Sequence, residues 1–287
     1  MEHSKISEKL LRILVLAGLL SSCQNDEPIA TLQSSSVESA DQNAKLIANP
    51  NLVIDGDKTL EYVNWGRYAG KLSKVTDSKY FTEYSYNDNN GSTDLWIISK
   101  RYDKASNALV NEHKFQVSNG KCIASRDVTN QIDYAYMYNA ANRLTEIKAI
   151  PQNASTYKII FDHAYYSATK EYRLRTISVH ESTGPVSEMT IGYTLPGGTL
   201  ITDKYPLNPD IGLDRYLHIY GNFSNYLVQQ ISVAQLNSSN QPITFTKLTY
   251  STNSDGYVTT RVTEYHPLGY GNNNGVKTTV DLLKYSN

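Results

Sequence analysis

Tyr136-Met137-Tyr138-Asn139-Ala140-Ala141-Asn142-Arg143-Leu144 is the stretch whose reading decides the fold. Tyr136 and Tyr138 recur with the period of a strand that has one covered face. Asn139-Ala140-Ala141-Asn142 then gathers turn formers, because asparagine tolerates the left-handed backbone and hydrogen-bonds its own main chain. Leu144 to Ile147 returns as a second strand. These residues predict a tight antiparallel hairpin.

Reading outward, the same grammar recurs. Tyr84-Ser85-Tyr86 runs into Asn87-Asp88-Asn89-Asn90-Gly91, and Leu95-Trp96-Ile97-Ile98 returns. Phe115-Gln116-Val117 meets Asn119-Gly120, a strong two-residue hairpin signal, before Cys122-Ile123. Further turns are expected at Gly66–Gly70, Ser167–Lys170, Pro196-Gly197-Gly198, Gly221–Asn225 and Asn253-Ser254-Asp255-Gly256. Their mean spacing of ~27 residues lies in the range of repeat architectures. Helical periodicity is nearly absent from residue 52 onward. With a last strand near Val276–Lys284, the chain predicts about 16 strands in an all-β antiparallel meander. Sheets beyond ~10 strands curl, split or close, so one strongly curved sheet or wide barrel is expected.

The hairpin at Tyr136–Leu144 resembles the YD-repeat unit, Tyr-x-Tyr-Asp-x-x-Gly-Arg-Leu, with Asn139 for Asp and Asn142 for Gly. Tyr84-Ser85-Tyr86-Asn87 matches its first half, and the other units are degenerate. Over residues ~60–285 the chain resembles a family of Bacteroidota surface lipoproteins described with a porin-like fold of degenerate YD-type hairpins. That resemblance implies a large antiparallel meander and no particular activity. The shells that long YD arrays build need many more repeats than this chain holds.

The amino terminus reads separately. Lys5, Lys9 and Arg12 precede the apolar run Ile13–Leu20, which even with Leu10 and Leu11 is shorter than the ~20 residues that span a bilayer as a helix. Leu20-Ser21-Ser22-Cys23 resembles the lipobox of bacterial lipoproteins. It implies a signal peptide over residues 1–22, cleavage before Cys23, and lipidation of Cys23 as the membrane anchor. Several acyl chains on one residue exceed what stable anchoring needs. Gln24-Asn25-Asp26-Glu27 resembles the surface-export signal of Bacteroidota lipoproteins, which implies an outer-membrane, cell-surface location. Residues 23–50 read as the lipidated cysteine and a flexible linker, and 51–287 as the hairpin repeat domain. Cys122 has no second cysteine left to pair with, and reads as a small apolar residue on a buried strand face.

Composition narrows the function classes. Lys+Arg at 27 against Asp+Glu at 28 leaves no basic excess, so nucleic acid is not an expected partner. There are 23 Tyr and only 5 Phe. Tyr86, Tyr138, Tyr166, Tyr193, Tyr220 and Tyr250 each precede a turn-prone residue. The expectation is that these rings flank tight turns, packing on one side and meeting water on the other. A spanning barrel needs a continuous apolar outer face. Val258–Tyr265 offers none on either side, so a tethered sheet is expected rather than a lipid-embedded one.

No catalytic constellation appears. His113, His163, His180, His218 and His266 show no metal-ligand spacing and read as strand-end or surface residues. There is no nucleophile elbow, no phosphate loop and no calcium loop. No catalytic, metal or cofactor-binding residue is assigned, and the chain is expected not to be an enzyme. Trp65 and Trp96 are candidates for stacking on a ligand, with ordinary cross-strand packing as the plainer use. The expected function is a binding or scaffold module, with a glycan or an envelope protein as partner. A carbohydrate-active enzyme with paired carboxylates and a structural subunit of an outer-membrane complex are the alternatives.

Overall fold

The hairpin at Tyr136–Leu144 forms as expected, and its neighbours join it in a single closed sheet. The computed structural model describes residues 50–88, 94–237 and 243–286. Cys23, its flanking segments and most of the linker lie outside the described residues. The first eight strands are β1 (Leu52–Asp55), β2 (Lys58–Tyr62), β3 (Leu72–Thr76), β4 (Tyr80–Asp88), β5 (Asp94–Asp103), β6 (Leu109–Ser118), β7 (Lys121–Asp127) and β8 (Ile132–Tyr138). The second eight are β9 (Leu144–Pro151), β10 (Tyr157–Tyr166), β11 (Glu171–Glu181), β12 (Gly184–Gly192), β13 (Gln230–Gln235), β14 (Thr244–Thr252), β15 (Val258–His266) and β16 (Lys277–Tyr285). Each strand pairs antiparallel with the next, and β16 pairs with β1, so the meander closes into a 16-stranded barrel. Closure removes both sheet edges, which would otherwise expose unpaired backbone groups.

An up-and-down barrel has two rims. The terminal rim carries the start of β1, the end of β16 and every connection that leaves an even-numbered strand. The far rim carries the other connections. Near the terminal rim one register shift recurs. At Glu61/Tyr62, Gln116/Val117, Met137/Tyr138, Asp162/His163 and Ser251/Thr252, two residues of one strand oppose a single step of its partner. Such bulges turn backbone groups out of the ladder.

Those turned-out groups explain the tyrosines. Tyr86 donates its hydroxyl to Leu72 O at 2.7 Å, Tyr138 to Cys122 O at 2.9 Å and Tyr193 to Leu174 O at 2.8 Å. Leu72, Cys122 and Leu174 each lie on the bulged side of a register shift. Tyr62 and Tyr250 likewise donate to Leu52 O and Val228 O. The expected water contact is thus replaced by an interior hydrogen bond. A phenylalanine would leave the carbonyl unpaired, which accounts for the bias against it.

The largest departure from the sequence reading lies between β12 and β13. Hairpins were expected at Pro196-Gly197-Gly198 and Gly221–Asn225. Instead residues 193–229 hold a single bridge, Thr202 to Tyr226, and pass through the barrel interior as a plug. Leu207, Ile211, Leu217, Tyr220, Phe223 and Leu227 are buried in one cluster with wall residues such as Ile147, Phe161 and Ile177. The turn chemistry was real, since Gly197 and Gly221 have φ of 73° and 78°. Pro206 and Pro209, however, lack the N–H groups that ladders need. A barrel this wide has a lumen that wall side chains alone do not fill, so the chain itself fills it.

Wall bulges receive the plug. Cys122 N donates to Ile219 O at 2.7 Å, and Leu174 N donates to Phe223 O at 2.8 Å. Gly221 passes so close to the Asn139–Asn142 turn that a Cβ there would lie 2.5 Å from Asn142 O. Cys122 is fully buried, and burial pushes its thiol well above the usual range.

The outer wall is ionic. Cross-strand pairs join Lys74 to Glu83, Lys100 to Glu112, Arg126 to Asp133, Lys158 to Glu146, Arg175 to Asp162 and Lys247 to Glu264. Lys114 adds a second contact to Glu112. By strand alternation these side chains point away from the buried Val75, Phe115, Ile147 and Leu248.

Candidate functional site

Of the polar regions that interrupt the apolar interior, two involve the tip of the plug. The first locks the plug to the seam where the barrel closes. Asp55 on β1, only 1% exposed, accepts from Arg215 Nε at 3.1 Å and from the Tyr216 hydroxyl at 2.9 Å. Arg261 on β15 reaches Asp55 at 2.9 Å and Asp281 on β16 at 2.7 Å. Burial alone would raise the Asp55 carboxyl. Arg215, Arg261 and the Tyr216 hydroxyl outweigh it and hold the group well below the usual carboxylate range. Every charge in this cluster has an opposite neighbour, so its role is to hold the plug in place.

The second region is a cavity of about 420 Å³ at the far rim. Its wall side comes from Lys58 at the start of β2, Asp77 in the β3–β4 turn, Thr82 and Tyr84 on β4, and Ser99 and Arg101 on β5. Asn111, His113 and Phe115 on β6, Asp127 on β7 and Tyr134 on β8 complete it. The plug closes the inner side with residues 210 and 212–216. The plug enters and leaves at the terminal rim, so its tip forms the floor of this mouth.

Most polar groups here are already committed. Asp77 accepts from Lys79 N and Tyr80 N and pairs with Arg101 at 3.5 Å. Asp127 accepts from Asn111 Nδ2 and from Asn130 N and Nδ2. Asp214 accepts from the Tyr84 hydroxyl, Tyr216 N and Leu217 N. Burial nonetheless raises the Asp214 carboxyl, with the Asp210 charge adding to the rise. Asp210 differs from the other three: no hydrogen bond to it is found among the described residues. It is open to solvent through the mouth, yet the surrounding wall raises its carboxyl against the pull of Arg215 and Lys58.

The apolar side of the cavity is a row of rings. His113 stacks on Phe115 at 4.4 Å and on Tyr134 at 5.7 Å. Burial pushes the His113 imidazole down to about 4, against the pull of Asp127. The ring is therefore neutral at physiological pH, and Nε2 bonds the Ser125 hydroxyl at 2.9 Å. His163 also points inward and stacks against Phe223, while Asp162 beside it faces out to Arg175. The surface reading of these two histidines is thereby corrected. Inward strand positions next to a filled lumen are buried whatever the residue type.

The two tryptophans lie elsewhere. Trp65 is 84% exposed in the β2–β3 connection. Trp96 sits on the outer side of β5, where the inward positions are taken by the buried Ile97 and Ser99. Both are near the terminal rim, and neither makes a ring contact among the described residues. The cavity residues escaped the sequence reading because they come from seven wall strands or turns and one coil. The usable signal was the run Asp210-Ile211-Gly212-Leu213-Asp214-Arg215, too polar for a buried strand and too apolar for a surface turn. Among the described residues no cluster of metal-ligating side chains is present.

Neither a protein-family model nor a curated protein matches the chain. Solved structures do resemble it. A porin-like protein from Bacteroides uniformis is 17% identical, covering 80% of this chain and 96% of that one, with a TM-score of 0.43. A porin-like protein from Bacteroides vulgatus is 15% identical over 80% of this chain and 97% of that one, with a TM-score of 0.49. The TcdB2-TccC3-TEV structure is 15% identical over 79% of this chain but 12% of that one, with a TM-score of 0.32.

Proposed function

We propose that this chain is an envelope protein tethered through lipid on Cys23, and that its plugged barrel is a binding module rather than a channel. The observation that carries the reading is the plug: the lumen is filled from the terminal rim, and a polar cavity stays open at the far rim. Lipid-facing charge on a strand costs ~2–4 kcal/mol at the bilayer midplane. The ion pairs on the outer wall therefore favour water around the barrel. The chain enters β1 at the terminal rim, so a tether from Cys23 attaches at the end opposite the cavity. The sequence Gln24-Asn25-Asp26-Glu27 supports the cell surface as its destination. Of the four aspartates lining the cavity, only Asp210 is uncommitted, so binding is a simpler use of the site than paired-carboxylate catalysis.

Three measurements test this reading. Alkyne-palmitate should label the chain in cells, and Cys23→Ser should abolish the label. Protease added to intact cells should reach the protein, and replacing Asp26 and Glu27 by Ala should remove that access. The purified full chain in planar bilayers should give no stepwise conductance. Stable conductance steps that survive a change of detergent would overturn the plugged-module reading.

A further inference from the structure

Resting on that reading, we propose that the far-rim cavity takes a short neutral saccharide of one or two rings. The lining carries both signs of charge, which disfavours a ligand of either net charge. Lys58 and Arg101 oppose a cationic ligand, and Asp210 with Asp214 opposes an anionic one. A neutral ligand rich in hydroxyls meets no such conflict, because each hydroxyl both donates and accepts. The uncommitted groups match that need. Asp210 and Asn111 Oδ1 accept, while the Arg101 N–H groups not facing Asp77 and the Thr82 hydroxyl donate, and Lys58 adds a donor beside its long 3.8 Å pair with Asp57.

The apolar side fits the same class. His113 and Tyr134, backed by the buried Phe115, form a stack of rings along the wall, and the neutral imidazole adds no charge to it. A sugar ring presents C–H groups on one side and hydroxyls at its edge, which matches an aromatic wall facing polar groups. The volume is at the small end of ligand pockets, so a long glycan would extend out through the mouth.

The experiment is calorimetric titration of the detergent-solubilised full chain. Glucose, galactose, N-acetylglucosamine and their disaccharides form the neutral set. Glucosamine, glucuronate, glucose 6-phosphate and free amino acids form the charged set. At least one neutral sugar should bind roughly tenfold tighter than its charged analogues. Asp210→Ala should weaken that binding by at least roughly tenfold, the loss of a charge-assisted hydrogen bond. The same variant should still fold and unfold cooperatively, since Asp210 accepts no hydrogen bond among the described residues and only charge links it to Arg215 and Lys58. A charged compound binding more tightly, with protection of residues 210–216 from hydrogen exchange, overturns the saccharide assignment and leaves the binding-module reading standing. Unchanged sugar affinity in Asp210→Ala places the sugar elsewhere and overturns it too. If no compound of either set binds, both readings fall.

Discussion

The wall and the plug solve the same problem in opposite ways. The wall is sixteen strands whose backbone groups satisfy one another and whose alternate side chains face inward. The plug has one bridge, yet it holds some of the most buried residues: Tyr220 at 0%, Phe223 at 1% and Leu227 at 1%. Regular pairing makes a tube but cannot fill it, because strand number sets the diameter. Irregular chain fills it but satisfies only part of its own backbone, through bonds such as Asp203 N to Asn225 O and Leu227 N to Ile201 O. The wall bulges supply the missing donors at Cys122 and Leu174, so each region completes the other.

That complementarity breaks most sharply at the seam. Asp55→Ala takes from the buried Arg215 the carboxylate that pairs with it at 3.1 Å, and it should cost about 3–5 kcal/mol in urea unfolding. A loss below ~1 kcal/mol would mean that the plug is held by apolar packing alone.

Acid acts on the far-rim cavity through His113. Its folded value of about 4 lies below the unfolded value near 6.5, so the unfolded chain takes up the proton first. The neutral imidazole's contribution is whole above pH ~6.5 and is lost progressively down to pH ~4, up to ~3 kcal/mol in all. Burial pushes His163 and His218 down to about 4 as well, so His113→Gln should reduce the slope of this part of the stability–pH curve by about a third. A curve that keeps its full slope in the variant would shift the effect to other groups.

Gly221→Ala probes the contact between the plug and the repeat turn. Its φ of 78° and the approach to Asn142 O should cost about 2 kcal/mol, read as a lower melting temperature. Gly120→Ala, with φ of 76° and nothing within 4 Å, should cost less and thus separates clash from backbone strain.

Tyr138→Phe removes the donor to Cys122 O and should cost about 1 kcal/mol. Tyr165→Phe, on an exposed ring, should be neutral within error of the same measurement. On the outer wall, Lys247→Ala should change stability by less than about 1 kcal/mol, and less still in high salt. A large effect there would mean that the outer pairs are not solvated.

Much of the wall was legible because hairpins are local. Asn119-Gly120, Asn139–Asn142 and Asn253–Gly256 mark turns that the structure contains, with positive φ at Asn119, Gly120, Asn142 and Gly256. The expected strand number is also met, although its membership differs. Two hairpins expected at residues 197 and 223 are coil, while β1, β12 and β13 make up the number. The tyrosine positions were legible, but their partners were not. Tyr86 and Leu72 are fourteen residues apart along the chain, and only the bulge turns that carbonyl inward.

The candidate site was hardly legible. Asp210 resembles any loop aspartate until the plug carries it to the far rim. His113 resembles any strand histidine until the lumen beside it is filled. The sequence by itself determined the all-β class, most turn positions and the meander order. Each rests on neighbouring residues. The tertiary structure decided closure of the sheet, the course of residues 193–229 and the assembly of a cavity from both regions. Those depend on contacts between residues far apart in the chain, and local pattern carries no record of which distant backbone groups are left to be satisfied.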